Sequence, residues 1–433
     1  MSCIKLAIIC HFSNQSIRDK LSLFKWRLYR YFDFGKWVTN ILDAISRYDE
    51  FEVHVISPHR GMKSSFQEFE DNNIHYYFYR DELPFPFGKL ENLLFSQEKR
   101  NYPRIRKIVK RIIKKINPNI VNLIGAENPY YSITALDIEN IPIILHCQTV
   151  YANPNRIRNA GEINQKRWNL EIELFHKIPY IACSGKMYYD LIKKYEPNAI
   201  IFPRKWPVSK FPDIPEVNKR YDFAYFARML NKNKGFDDAI EAISIVANKY
   251  PNIKILAVGN YENNQTDFEK RIKDLNIDKN IEIHRSFEKY EDMLTYVKQA
   301  RFALLPIKMD VISGTILEAM RMGMPVVTSR TSGTPTLNSK QITVLISDIG
   351  DYNRLADNMI RLYEDSELTN KLINNANSYI RELDEKNSHN IEIMISQYKA
   401  VIAHYDHGTP IPEDLLYDIK SNIDYSNNEN KIN

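Results

Sequence analysis

The stretch DVISGTILEAMRMGMPVVT, residues 310–328, reads as a loop, a helix and a buried strand in that order. Asp310 lies in the loop. Ser313, Gly314 and Thr315 suit a helix start, because small residues and a hydroxyl satisfy the free amides of the first turn. Ile316, Ala319 and Met320 fall where they can face inward. Gly323 ends the helix, glycine taking positive φ at little cost, and Pro325, Val326 and Val327 open a strand. Asp310 and Glu318 are eight positions apart, a little over two helical turns, so both can address one ligand at the helix N-terminus. Free N–H groups there attract phosphate. The combination predicts a phosphorylated ligand whose sugar hydroxyls meet carboxylates.

Working outward, the chain of 433 residues has room for two α/β domains, each with its own core. An apolar fraction of 44% and a charged fraction of 26% are those of a globular protein. The net charge of +5 is too mild to imply nucleic acid. No apolar run reaches the roughly 18 residues that a membrane helix needs. The opening MSCIKLAIIC, soon interrupted by His11, reads as a first strand and not as a signal peptide. Cys3, Cys10, Cys147 and Cys183 lack metal-ligand spacing and sit in or beside apolar runs, as reduced thiols of a cytoplasmic protein do.

Apolar, β-rich runs recur at residues 4–10, 51–57, 75–79, 120–125, 141–147, 180–183 and 199–202, with helical patterns between several of them. Strands apolar throughout imply a parallel sheet covered on both faces. PRKWPVSKFPDIPEVNK, residues 203–219, is rich in proline and charge and reads as a linker. The alternation then restarts, with strands expected at 222–226, 253–258, 281–285, 302–305, 325–328 and 343–347 and helices at 236–250, 266–275, 290–299 and 351–363. Beyond Glu364 the pattern is helical as far as His407, and the last stretch is polar and reads as disordered.

The stretch quoted first resembles the retaining glycosyltransferases of GT-B fold, the group 1 class also called glycosyltransferase family 4. Their signature is Glu, seven residues, Glu, then Ala-Met and a Gly-x-Pro-Val-Val run. Here it stands as Asp310, Glu318-Ala319-Met320 and Gly323-Met324-Pro325-Val326-Val327, with Asp in place of the first Glu. The resemblance is dense in the second half and an outline in the first. It implies an α/β, GT-B architecture: two facing Rossmann-like domains with a cleft between them and a C-terminal helix returning to the first domain. The corresponding division is an acceptor-binding domain over 1–203, a linker over 204–219, a nucleotide-sugar-binding domain over 220–364, returning helices over 365–407 and a polar tail over 408–433.

The same resemblance suggests roles. Arg228 and the Lys234-Gly235 pair match the family's Arg and Lys-Gly after the second domain's first strand. Two fixed cations stabilise the charge that develops on a departing diphosphate without a metal. Glu318 would accept hydrogen bonds from the ribose hydroxyls, and Asp310 would face the sugar hydroxyls. Amides of Ser313, Gly314 and Thr315 would hold the diphosphate, although the family's Phe-Gly pair is absent here. His146 stands at a strand's carboxyl end, where α/β sheets put ligands, and family members often carry a histidine there. Gly259 ends another strand at the same edge. Ser286-Phe287 matches the loop that usually holds the base. The family's Gly-Gly loop after strand one is replaced by a segment from Phe12 to Phe34, with Gly35 at the comparable place.

That segment contains KLSLFKWRLYRYFDF, which suits a glycolipid acceptor or a membrane surface, or equally a helix packing its aromatics inward. A second basic segment, RIRKIVKRIIKKI from Arg104 to Ile116, has apolar residues at helical spacing and Arg106, Lys107, Lys110, Arg111, Lys114 and Lys115 on the other face. No acidic residue within it dilutes that face, which favours peripheral contact with anionic lipid over an ordinary solvated helix.

These readings predict a retaining glycosyltransferase, cytoplasmic or peripheral on the inner face of the cell membrane. It would use a UDP or GDP sugar as donor substrate, a glycan or glycolipid as acceptor, and no metal, cofactor or nucleic acid. The setting would be surface polysaccharide or glycolipid assembly. Two alternatives stay open: a nucleotide-sugar epimerase on the same fold, and a non-catalytic partner that binds nucleotide-sugar or glycan.

Overall fold

A computed structural model describes residues 3–24, 33–81, 100–152, 161–208, 210–261, 265–285, 287, 289–310, 312–331 and 333–418. Most of KLSLFKWRLYRYFDF, Ser286 and the polar C-terminal stretch lie outside the described residues. The chain divides into two compact units, one formed by residues up to 209 joined by the segment from 387 onward, the other by 210–386.

The first unit is built on strands β1 (Ile4–Ile9), β2 (Phe51–Pro58), β3 (Phe66–Asp71), β4 (Ile74–Tyr79), β5 (Ile120–Ile124), β6 (Ile143–His146), β7 (Tyr180–Cys183) and β8 (Ile200–Pro203). Their order across the sheet is β3-β4-β2-β1-β5-β6-β7-β8. All neighbours are parallel except β3 and β4. Helices α1 (Gln15–Lys20), α2 (Lys36–Ile45), α3 (Pro103–Ile116), α4 (Pro129–Ser132), α5 (Gly161–Lys177) and α6 (Lys186–Tyr195) occupy the connections. Successive strand side chains point to opposite faces, and both faces are apolar. Ala7, Ile9, Val121 and Leu123 pack with Ile105, Val109 and Ile112 of α3. Leu6, Ile8, Val53 and Val55 pack with Val38, Ile41 and Leu42 of α2. Burial on both faces is the reason these strands read as continuous apolar runs.

β3 was not expected. Its sequence FQEFED alternates exposed with half-buried positions and pairs antiparallel along one edge, so it carries no apolar run.

The second unit contains β9 (Tyr221–Leu230), β10 (Ile255–Tyr261), β11 (Ile281–His284), β12 (Ala300–Leu305), β13 (Val326–Ser329) and β14 (Leu345–Ser347). They are ordered β11-β10-β9-β12-β13-β14 and all parallel. Between and after them run α7 (Phe236–Lys249), α8 (Gln265–Asp274), α9 (Tyr290–Val297), α10 (Gly314–Arg321), α11 (Tyr352–Glu364) and α12 (Ser366–Asn387). One face of this sheet buries Phe223 and Tyr225 against α7 and α11, the other Ala224 and Phe226 against α9 and α10. β9 runs four residues past the expected end at Phe226: Ala227 and Arg228 bulge opposite Gly259 of β10, and pairing resumes at Asn260 with Met229 and Tyr261 with Leu230. Arg228 is therefore on a strand and not in a loop.

The final helix, α13 (Asn390–His407), belongs to the first unit. Met394, Ile395, Tyr398 and Val401 complete the core layer begun by α2. The Tyr180 hydroxyl and His404 Nδ1 are 2.7 Å apart, and Gln397 Nε2 donates to the Pro203 carbonyl at 3.0 Å. In the middle of the layer the side-chain amide of Asn122, on β5, donates to the Tyr398 hydroxyl at 2.6 Å, both groups being fully buried. Tyr398→Phe would leave that amide in the core without this partner, at a cost of about 1–3 kcal/mol. Urea unfolding should show the loss as a lower midpoint; an unchanged midpoint would show that the bond contributes nothing.

Candidate active site

The second unit's site begins at the exit of β9. Arg228 is exposed on the strand's last third. Asn231 then caps a short 3-10 turn, Lys232–Lys234, its side-chain oxygen accepting from the Lys234 amide at 3.0 Å. The buried Tyr225 hydroxyl donates to the Lys234 carbonyl at 2.9 Å. Gly235 follows with φ +75°, and a Cβ there would lie 1.7 Å from the Pro306 carbonyl oxygen just beyond β12. Only glycine permits that approach.

Further bonds tie the two exits together. The Lys308 amide donates to the Asn233 carbonyl at 3.2 Å, and Lys308 Nζ reaches Asp237 at 3.0 Å and Asp238 at 2.8 Å. The outcome is that Lys234 Nζ stands 2.5 Å from Asp310 Oδ2. β9 and β12 are neighbours in the sheet, and β10, the next strand after β9, lies on the opposite side. The pair therefore sits at the topological switch point, where open α/β sheets bind ligands.

Helix α10 follows at once. Its N-cap residue Ser313 makes no side-chain bond to the helix amides, contrary to expectation; its hydroxyl and that of Thr315 are 3.0 Å apart instead. The first amides of the helix cannot find carbonyls within it, so those of Gly314 and Thr315 are available to an anion. One turn on, half-buried Glu318 accepts a bond from the Tyr290 hydroxyl at 2.6 Å. Burial, and then the negative charge of Glu318, push the Tyr290 phenol well up, so it remains a donor. Sequence reasoning missed Tyr290, whose one signal was a tyrosine at the first position of a helix. Ile316, Ala319 and Met320 are buried and Gly323 has φ +69°, as read.

At neighbouring strand ends, Gly259 of β10 lies opposite the β9 bulge, and a Cβ there would lie 2.4 Å from the Ala227 carbonyl. Phe287 stacks on His284, ring centroids 4.4 Å apart, and lies against Tyr296. Arg228, Lys234, Gly259, Phe287, Asp310, Ser313, Gly314, Thr315 and Glu318 thus all belong to the carboxyl edge of one parallel sheet or to the helix leaving it.

Gly35 and His146 belong to the first unit. Gly35 precedes α2 with φ +67°, and a Cβ there would lie 2.8 Å from both the His11 carbonyl and Phe12 Cβ. His146, the last residue of β6, is fully buried. Its Nδ1 lies 2.8 Å from Asn122 Oδ1. Because the Asn122 amide nitrogen already donates to Tyr398, its oxygen accepts, and Nδ1 carries the proton. Nε2 is then the bare nitrogen, with no partner among the described residues. Burial, and secondarily the charge of Arg204, hold the ring neutral by lowering its pKa to about 3. The expected contact between His146 and a sugar is not open to a ring with no exposed surface; this placement makes it a core group. A histidine that sequence reasoning treated only as an interruption, His11, lies at the β1 exit, its Nδ1 2.7 Å from the Tyr130 hydroxyl beyond β5.

Comparison with known proteins agrees with this architecture. The chain has the GT-B fold. It overlays on sucrose-phosphate synthase from Thermosynechococcus elongatus with a TM-score of 0.65, at 13% identity and covering 92% of this chain and 99% of that one. It overlays on HepE of Anabaena, in complex with UDP and glucose, with a TM-score of 0.62 at 13% identity, covering 92% and 100%. Residues 208–379, most of the second unit, match the family model of glycosyl transferases group 1. Among curated relatives, the capsular polysaccharide biosynthesis glycosyltransferase CapM of Staphylococcus aureus is 22% identical over 152 residues, which is 35% of this chain. The match spans 39% of that relative's length.

Two buried histidines give the fold a pH signature. Burial lowers His146 from 6.5 to about 3 and His59 to about 4. Between those values and 6.5 the unfolded chain binds more protons than the folded one, so stability is fully present above 6.5 and declines as pH falls. The urea midpoint should drop between pH 7 and pH 5, before most carboxylates titrate. A flat midpoint over that window would contradict the buried, neutral rings.

Proposed function

We propose that this protein is a retaining glycosyltransferase of family 4 that moves a sugar from a nucleoside diphosphate to a hydroxyl acceptor. The observation that carries the reading is the meeting of Lys234 and Asp310 at the switch point, followed directly by open helix amides and Glu318. In this reading the diphosphate lies on the amides of Ser313, Gly314 and Thr315, with Arg228 and Lys234 countering its charge. Glu318, oriented by Tyr290, takes the ribose hydroxyls, and Asp310 takes hydroxyls of the sugar. The Lys234–Asp310 pair is about one-third exposed on each side, so its worth is about 0–1 kcal/mol, and an arriving diphosphate can replace the carboxylate on Lys234.

In the transfer, the bond from the anomeric carbon to the diphosphate oxygen breaks as the acceptor oxygen bonds to the same face of that carbon. The acceptor's proton passes to the departing diphosphate, so no separate base is called for. Two cations in place of a metal suit a donor such as a UDP or GDP sugar. UDP and glucose in HepE, and the polysaccharide role in CapM's name, support this donor class and a polysaccharide or glycolipid acceptor. Glu318→Ala should lower transfer by about 100-fold or more, from the loss of charged hydrogen bonds, with the fold intact by circular dichroism. Wild-type turnover in that variant would sink the assignment. NMR of the product anomer tests retention.

The same reading includes peripheral binding at the cytoplasmic membrane face through α3. Among the described residues no helix is long and apolar enough to cross a membrane. The basic face of α3 is less uniform than its sequence suggests, because Lys115 pairs with Glu68 of β3 at 2.7 Å and Arg106 with Asp137. Lys107, Lys110, Arg111 and Lys114 remain exposed, with no ion pair among the described residues. Each contributes about 1 kcal/mol near an anionic surface. Reversing Lys110 and Lys114 to Glu should cut co-sedimentation with phosphatidylglycerol vesicles more than tenfold. Equal sedimentation of both proteins would remove this part of the proposal.

A further inference from the structure

At the carboxyl end of β8 the chain carries a guanidinium that meets no carboxylate among the described residues. The Arg204 amide donates to the Cys183 carbonyl at the end of β7, at 2.8 Å. Its Nη1 donates to the carbonyls of Cys147 at 2.7 Å and Gln148 at 3.2 Å, just beyond β6. Its Cζ lies 4.1 Å from the centroid of the Trp206 ring, and Trp206 stacks in parallel on Trp37, 5.9 Å away, at the second position of α2. Trp37 is 37% exposed, so the stack reaches the surface. Arg204 is thus fixed by three strand ends and an indole face, with no ion pair among the described residues. The charge of Glu127 acts on it, but less than burial does.

Taking a cation out of water is costly, and a half-buried guanidinium is ordinarily met by a carboxylate or phosphate. Here its hydrogen bonds go to neutral carbonyls through Nη1 alone, which leaves donors on Nη2 and Nε. A further donor, Trp206 Nε1, is buried with no partner among the described residues. His146, at the end of β6, is near enough for the Arg204 charge to act on it. Fixed, unpaired positive charge beside a buried indole N–H, at the carboxyl edge of a parallel sheet, fits an anion.

We propose that Arg204, with the indole N–H of Trp206, holds a phosphate group of a phosphorylated substrate on the first unit. The proposal rests on the glycosyltransferase reading only for which molecule carries the phosphate: the acceptor. Arg204 in this role is a binding and positioning residue, and the wide contact of its guanidinium with Trp206 makes tryptophan fluorescence its natural reporter.

The test is titration of the full chain with inorganic phosphate, followed by intrinsic tryptophan fluorescence, and in parallel with UDP and GDP by calorimetry. Wild type should show a saturable phosphate response that weakens at least tenfold in Arg204→Gln. Arg204→Lys keeps the charge but loses the planar fork, and should fall between; it serves if Arg204→Gln proves unfolded by circular dichroism. No saturable response in wild type, or equal phosphate affinity in wild type and a folded Arg204 variant, overturns the proposal. If the variant weakens UDP or GDP in step with phosphate, the assignment to the acceptor is overturned. If it loses phosphate but keeps the nucleotide, the phosphate is the acceptor's. A chain that binds phosphate through Arg204 yet neither nucleotide would retain this site and refute the transferase reading.

Discussion

A carbonyl oxygen stands where any side chain at position 235 would begin. The 1.7 Å that separates the Pro306 oxygen from a notional Cβ on Gly235 is less than half an ordinary carbon–oxygen contact. The exits of β9 and β12 touch only because that carbon is missing. Everything in the second unit's site follows from the contact: the turn that carries Lys234 is pressed against the loop that carries Asp310, and Lys308 and its aspartates hold the two together. Groups 76 positions apart in sequence become an ion pair through the bareness of one residue. Gly259 is a milder case of the same device: its bareness lets the β9 bulge that contains Arg228 lie against β10.

The first unit is organised by a polar thread through an apolar layer. Tyr398, Asn122 and His146 come from the returning helix and two adjacent strands, and each satisfies or orients the next. Such a thread costs desolvation, but it fixes register: the helix cannot slide a turn without stranding the Asn122 amide in hydrocarbon. It also fixes which nitrogen of His146 holds the proton, something set by the partner of its partner.

Much of the architecture was legible because burial on both faces leaves a plain trace. β1, β2 and β5 in one unit and β12 and β13 in the other are short apolar runs between helical patterns, and Gly323 marks the end of α10 as glycine with positive φ does. What escaped was whatever needs a second element to define it. β3 has acids at alternate positions and exists because β4 offers it an edge. The extension of β9 depends on pairing with β10 that resumes beyond a bulge. Tyr290 meets Glu318 from a different helix, and Arg204 is notable for what does not surround it, which no linear pattern records. The acidic groups that temper the α3 face, Glu68 and Asp137, likewise come from elsewhere in the chain. The position of His146 at a strand end was legible; its burial beneath α13 was not, since the covering residue is over 250 positions away.

The first unit is interrupted: α13 completes its core only after residues 210–386 have passed. During synthesis, at about 5–20 residues per second, the sheet of the first unit must wait roughly 10–40 s for its last wall. Over that interval the layer containing Leu6, Val53 and Ile120 lacks Met394, Ile395, Tyr398 and Val401, and the Asn122 amide has no phenol to meet. Growth on the ribosome therefore passes through a half-clad sheet with a long apolar face. A chain stalled or cut within the second unit would carry that face into solution, where it suits chaperones and aggregation equally well.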